Sequence, residues 1–526
     1  MNLTTPRNTN IGVISSMLSK VSSESTERPG TTLEPATVAG TSSAPAAGAT
    51  ATMRGVALRE LSPSVKEALE KLELSKDVKV PVPLQLLQQS SSGGTRTSQT
   101  SSAASAQPAS SPPRTLPKHH VCVQIYASSL NYFDLLMLVG QYQYKPKLPV
   151  VIGSEAAGRV VMVGEGVRHL KVGQSVIVSM TLGCHADYCV VNAMSCLPMP
   201  SSWTYAEAAG FSVGYFTAYH ALVQRAHLPV LPQLLSATTH VSGSIGSTTE
   251  SKSAFTATNA SVLTTISLNS GAPTVNSSSS AAKAGSVSSR QSVLTEGQRP
   301  FVLVTGAAGG MGLAAVQLAH SALGCRVIGV ISKDEYDTDV DDIPASGSTS
   351  SLRGPGKRAK AVLAAGAERC IDLSQEDLRT AVLNYTGKRG VDVIYDVVGG
   401  DLFKTLLRVA ARGCKILVVG FASGRIPNVP ANLLLVKSIS LIGVAAGAEM
   451  QRDPRVAREM AKSFLEWTSP TSKTARELVP VRIQKYAARD VRKAYIDLAQ
   501  RKVLGKAVLI WREEANQTPD EGVSML

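Results

Sequence analysis

Gly306, Gly309 and Gly312 stand three residues apart, with Gly310 beside them, directly after the apolar run Phe301–Thr305 and before an amphipathic stretch. A strand that turns through glycines into a helix brings free backbone N–H groups and the positive end of the helix dipole up to a phosphate. The pattern therefore points to a bound dinucleotide, with Gly306, Ala308, Gly309, Gly310, Met311 and Gly312 around its pyrophosphate. The end of the next strand, Arg326 to Ile331, selects the nucleotide. A carboxylate there takes the ribose 2′-hydroxyl of NAD, whereas hydroxyl and cationic groups take the 2′-phosphate of NADP. Here the strand runs into Ser332 and Lys333, and Lys357 and Arg358 stand beyond a polar stretch. Arginine grips phosphate through two parallel hydrogen bonds, so NADPH is the expected cofactor. Asp334 and Glu335 follow closely and leave NADH as a second reading.

Such a loop needs a sheet behind it. From Tyr205 onward helical and extended patterns alternate: a helix over Tyr205 to Arg225, strands at Phe301–Thr305, Arg326–Ile331, Val391–Asp396, Cys414–Gly420 and Ser438–Val444, and helices between them. That alternation predicts an α/β fold with a doubly wound parallel Rossmann sheet. Upstream, strands at Val121–Tyr126, Arg159–Gly164 and Ser175–Met180 are closely punctuated by Gly and Pro and predict an irregular β domain. Polar tracts poor in apolar residues interrupt both parts at 88–117, 232–297 and 337–356, and 1–52 reads the same way. They cannot repay the entropy of ordering and are expected to be disordered insertions in one fold. The expected plan is an extension over 1–52, a catalytic domain over 53–202, a nucleotide domain over 203–448, a segment over 449–514 that completes the first domain, and a tail over 515–526.

Composition narrows the function. Of 526 residues 44% are hydrophobic, enough for a large core, and the net charge is +14. No run of five Lys/Arg and few aromatics argue against nucleic-acid binding, and a phosphorylated cofactor accounts for a basic surface. Seven scattered cysteines form no disulfide framework and suit a reducing compartment. Neither a signal peptide nor a membrane span is read, so the expected location is cytoplasmic. Two alternatives are an organelle of the peroxisomal kind, from the terminal Ser524-Met525-Leu526, and the mitochondrion, from Arg7, Lys20 and Arg28, against which Glu24, Glu27 and Glu34 count.

Several segments together resemble the zinc-free quinone oxidoreductases of the medium-chain dehydrogenase/reductase superfamily: SSLNYFDLLMLVGQY (128–142), LPVVIGSEAAGRVVMVGEGV (148–167), VGYFTAYHAL (213–222), VTGAAGGMGLAAVQLA (304–319), GVDVIYDVVGGDLF (390–403), the stretch 416–444 and GKAVL (505–509). The resemblance implies a GroES-like catalytic domain, NADPH in the cleft between the two domains, and a homodimer joined through the edge strand that SISLIGV matches. It also implies site residues. Asn131, Asp134 and Tyr142 would line the cleft beside the nicotinamide, with the Asn131 amide holding a carboxamide or carbonyl oxygen and Tyr142 donating to a quinone oxygen or stacking on its ring. Thr217, Gly420, Phe421, Ala422 and Asn432 would contact the cofactor. A capping role for Asn131 and ordinary core packing for Tyr142 are the competing readings. The zinc-dependent branch carries His–Glu after a glycine where this chain has Gly153, Ser154 and Glu155, and serine does not replace imidazole on zinc. The cluster Cys184, His185, Cys189 and Cys196 fits no standard zinc spacing, so no metal is expected. The expected reaction is hydride transfer to a quinone or similar electron-poor carbonyl. Reduction of an α,β-unsaturated carbonyl on the same scaffold, and an NADPH-binding scaffold without turnover, are the alternatives.

Overall fold

The computed structural model describes residues 52–79, 116–230, 299–334, 355–467, 478, 480 and 482–513. Most of the expected N-terminal extension, the three expected insertions and the tail lie outside these residues. Their edges shift slightly: Thr52 already opens a strand, Leu116 is buried, and Gly356 is the N-cap of the helix Lys357–Ala364.

The nucleotide-binding half is built on six parallel strands, Phe301–Thr305, Arg326–Ile331, Arg369–Asp372, Val391–Asp396, Ala410–Val418 and Ser440–Gly443. Numbered in chain order, they lie 3-2-1-4-5-6 across the sheet, the doubly wound arrangement. Both faces are covered at the centre of the sheet, which is why Phe301–Thr305 reads as an unbroken apolar run and Arg326–Ile331 nearly so. On one face Val302, Val304, Tyr395 and Leu417 pack with Leu313 and Val316 from the helix Gly310–Gln317. On the other, Leu303, Ile328, Ile394 and Ile416 meet Val382 and Leu406 from the helices Leu378–Tyr385 and Leu402–Val409.

The other half is a seven-stranded sheet centred on His120–Ser129 and Glu155–Val163, antiparallel except where Ile483–Ala487 joins Lys506–Ile510. Lys506–Ile510 pairs with the end of His120–Ser129, so residues nearly 400 positions apart share one edge of the domain.

The helix expected over 205–225 is divided. Thr204 and Glu207 cap a short helix, Tyr205–Ala209, and a new helix, Ser212–Tyr219, starts beyond Gly210 and passes into a wider π turn over His220–Arg225. The capping exchange and the glycine fix the break, so the apolar period runs through a bend. The helix Pro454–Trp467 packs Phe464 edge-on against Phe211 at 5.1 Å and Trp467 at 5.4 Å. It thus sides with the nucleotide-binding core, and the return to the first domain is made by Ile483–Ala487. Among the described residues no helix is long and apolar enough to cross a membrane.

Phe464 is 1% exposed at the centre of this aromatic cluster. Phe464→Ala should cost about 3–5 kcal/mol by removing that contact and leaving a cavity, read as a lowered urea midpoint.

Candidate active site

The glycine loop sits at the carboxyl end of the central strand, beside the point where the strand order reverses. Gly306 has φ +58°, and a Cβ on Gly312 would lie 2.3 Å from the Gly306 carbonyl oxygen, so helix and loop touch only because both residues are glycine. The Thr305 hydroxyl donates to Asp396 at 2.6 Å, and the same carboxylate accepts the N–H groups of Val398 and Gly399, which fixes the neighbouring loop. The first-turn amides of Gly310, Met311 and Gly312 have no carbonyl one turn back, as phosphate binding requires. Ala308 contributes differently: its carbonyl accepts the Gly505 N–H at 2.9 Å, and Gly309 bridges to Gly505. The loop is thereby tied to the other domain.

At the second strand's end Ser332 and Lys333 are exposed. Asp334 is 4% exposed, and its carboxylate accepts the N–H of Arg358 at 2.8 Å and of Ala359 at 3.3 Å. The acid that left room for NADH caps the helix Lys357–Ala364 instead. Glu335 lies outside the described residues. The Arg358 guanidinium donates to the Arg501 carbonyl at 2.8 Å, and Arg501 in turn donates to the Ala422 carbonyl at 2.7 Å. These two arginines join the second strand's end to the turn Gly420–Phe421–Ala422, whose backbone is held by Asp396 and Val397. Thr217 is partly buried on Ser212–Tyr219. Asn432 is exposed on the helix Ala431–Lys437 and takes part in none of these contacts.

Beside the glycine loop lies a buried ion pair. Lys506 Nζ is 2.6 Å from Glu155 Oε1, and the two side chains are 7% and 0% exposed. The ammonium also donates to Asn131 Oδ1 at 2.8 Å and to the Leu130 carbonyl at 3.3 Å. Glu155 accepts in addition from Asn131 Nδ2 at 3.0 Å, from Ser212 Oγ at 3.0 Å and from the Val213 N–H at 2.8 Å. Every donor and acceptor position of the pair is used, as burial demands. Asn131 is consumed by the same network, its Nδ2 donating to Ser154 as well, so its amide is not presented to a carboxamide or carbonyl oxygen. It is the N-cap of the helix Tyr132–Leu138, as the capping reading held.

Asp134 also lies behind the surface, at 1% exposure. Its Oδ2 accepts the Asn131 N–H at 2.8 Å and the Tyr495 hydroxyl at 3.2 Å. Burial pushes its carboxyl up to about 7, against the pull of these two hydrogen bonds. Tyr142 is half-buried with its ring stacked on Phe133, centroids 5.1 Å apart. Burial raises its hydroxyl's pKa and the charge of Asp134 raises it further.

Zinc does not fit these groups. Glu155 is saturated, Ser154 offers only a hydroxyl, and His185 has both ring nitrogens engaged, by Ser128 at 2.8 Å and Tyr495 at 3.0 Å. Cys184, Cys189 and Cys196 are buried, and burial holds Cys196 as a thiol with a pKa of about 12. No three metal-ligating groups converge among the described residues.

Lys506, Ser212, Tyr495 and Arg501 entered no sequence-based assignment of the site. The available signal was a lysine at the head of an otherwise apolar strand, KAVLI. Glu155→Gln should destabilise the protein by about 3–5 kcal/mol by stranding the Lys506 charge, and adding Lys506→Met should recover much of the loss, both read by chemical denaturation.

The description "Alcohol dehydrogenase GroES-like domain" belongs to the family model that matches residues 117–233, and "Zinc-binding dehydrogenase" to the one that matches 352–463. The quinone oxidoreductase-like protein 2 homolog of Nematostella vectensis is 30% identical over 390 residues, covering 74% of this chain and 81% of that protein. The fold matches Escherichia coli quinone oxidoreductase, solved in complex with NADPH, with a TM-score of 0.53 at 21% identity, over 88% of this chain and 100% of that one. It matches the JamJ enoyl reductase with a TM-score of 0.55 at 17% identity, over 88% and 99%. With a relative of this identity aligned across both domains, the chain belongs to the zinc-free quinone oxidoreductases of the medium-chain dehydrogenase/reductase superfamily.

Proposed function

We propose that this oxidoreductase uses NADPH to reduce a quinone or similar electron-poor carbonyl without zinc. The observation that carries the cofactor choice is the burial of Asp334 as a helix cap, which leaves Ser332, Lys333 and Arg358 at the strand end where a 2′-phosphate would lie. The relatives' printed names support the acceptor class. The amides of Gly310, Met311 and Gly312 would take the pyrophosphate, and Thr217 with the turn Gly420–Ala422 would flank the nicotinamide. When bound, the dihydronicotinamide supplies a hydride; the protein's part is orientation and exclusion of water. Charge then develops on the acceptor oxygen, and the Tyr142 hydroxyl is the donor proposed to meet it.

Purified protein titrated with each nucleotide by nicotinamide fluorescence should bind NADPH at least about tenfold tighter than NADH. Lys333→Ala with Arg358→Ala should erase that preference while sparing NADH binding. Equal affinities in the wild type would overturn the cofactor reading. A panel of quinones and enones then separates the acceptors: turnover of enones alone would favour an enoyl reductase, and turnover of neither a binding scaffold.

We also propose a homodimer. The strand Ser440–Gly443 ends the parallel sheet, and the helix before it leaves Leu435 80% and Val436 65% exposed. Sedimentation should give twice the chain mass, and Leu441→Lys with Val436→Lys should reduce it to one.

A further inference from the structure

The helix Ser212–Tyr219 begins without a side-chain cap from its own N-terminus. Its N-cap residue is Phe211, whose side chain has no acceptor; the ring is buried and stacks on Tyr215, centroids 4.4 Å apart. A core-packing residue thus stands where Ser, Thr, Asp or Asn would satisfy a first-turn amide. The acceptor comes instead from the other domain. Glu155 Oε2 takes the Ser212 hydroxyl at 3.0 Å and the Val213 N–H at 2.8 Å, across 57 and 58 residues of chain. A carboxylate at that end also meets the positive pole of the helix. The two oxygens of Glu155 have separate tasks. Oε1 accepts from Lys506 Nζ at 2.6 Å and Asn131 Nδ2 at 3.0 Å, which offsets the cost of burying the charge, and Oε2 fixes the helix.

The helix held in this way bears on the cofactor site. Thr217 stands one turn beyond Val213 on the same face. Gly214 lies against the phosphate helix: a Cβ there would be 3.2 Å from Ala314 Cβ and 3.4 Å from the Gly310 carbonyl oxygen. Tyr215, next along, donates its hydroxyl to Gln317 Oε1 of the same helix. One carboxylate oxygen therefore locates Thr217 along its own helix and, through Gly214, bears on the first turn at Gly310.

We propose that Glu155 is a positioning residue for the dinucleotide, acting through Oε2 as the N-terminal cap of Ser212–Tyr219. This role rests on the cofactor reading above. It assigns Glu155 to the pyrophosphate and nicotinamide end of the site, and not to the 2′-phosphate end at Ser332, Lys333 and Arg358. The requirement is for an acceptor oxygen at this place; the negative charge is dispensable once Lys506 is neutralised with it.

Two double variants of the full chain separate the oxygen from the charge. In the first, Glu155→Gln with Lys506→Met, the amide nitrogen can donate to Asn131 Oδ1, which leaves the amide oxygen for Ser212 and Val213. The second, Glu155→Met with Lys506→Met, has no acceptor there. By nicotinamide fluorescence the first should bind NADPH within about threefold of wild type, and the second at least about tenfold more weakly, with NADH weakened alike. Adenosine 2′-monophosphate, which has neither pyrophosphate nor nicotinamide, should bind all three proteins within about twofold by calorimetry. Ser212→Ala keeps the ion pair and the Val213 contact and should weaken NADPH about threefold; it serves in place of the second variant should that protein not fold. NADPH affinity unchanged in the folded second variant, or in Ser212→Ala where that variant does not fold, would overturn the proposal. So would equal weakening in both double variants, or a parallel loss of adenosine 2′-monophosphate. If wild type binds neither dinucleotide, the cofactor reading itself fails and the role of Glu155 falls with it.

Discussion

The contact between Lys506 and Glu155 is the constraint on which the rest of the molecule depends. Glu155 is fully buried and Lys506 nearly so, and each is compensated by the other and by a ring of hydrogen bonds. That ring draws together the helix Tyr132–Leu138 through its cap, the strand Glu155–Val163, the helix Ser212–Tyr219 and the strand Lys506–Ile510. The desolvation cost of such a pair is repaid only by near-complete satisfaction, so these four elements have little freedom to move apart. A Cβ at Gly310 would lie 2.2 Å from Lys506 Cδ, so the cation's stem also presses on the phosphate loop. The two domains are coupled at the place where their cleft must be shaped.

The same ring accounts for the difference from the zinc-dependent branch. There the residues after the glycine are histidine and glutamate. Here Ser154 has taken the first position and Glu155 is neutralised by an ammonium from a distant strand. Asn131 is best understood as part of this arrangement, since it faces Lys506 with its oxygen and Glu155 with its amide nitrogen. A residue that matched a cleft-lining motif is held by Ser154, Glu155 and Lys506 within this buried network.

Much of the architecture was legible because it rests on local rules. Burial on both faces of the nucleotide sheet wrote itself into apolar runs such as FVLVT and RVIGVI, and the close approach at Gly312 wrote itself into glycine spacing. The strand end at Ser332 and Lys333 could be read by position alone. What escaped was long-range. Asp334 gave no sign that it would cap a helix beginning beyond an insertion, because its partners at 358 and 359 are set by tertiary placement. His185, Tyr495 and Asp134 are far apart in the chain, and only the fold brings them into one line. The cysteines of the 184–196 segment, whose spacing fitted no zinc pattern, have buried thiols.

The tie between Ala308, Gly309 and Gly505 has a consequence for how the molecule is made. The phosphate loop and the ion pair both wait for a segment roughly two hundred residues after the loop and more than three hundred after Glu155. Contacts of such separation form late, since loop-closure entropy must be met before they stabilise anything. A growing chain can lay down most of its nucleotide sheet and still have a loose phosphate cradle and an uncompensated Glu155. Competence to hold a dinucleotide is therefore a property of the finished fold, and a bound cofactor would mark chains that have completed it.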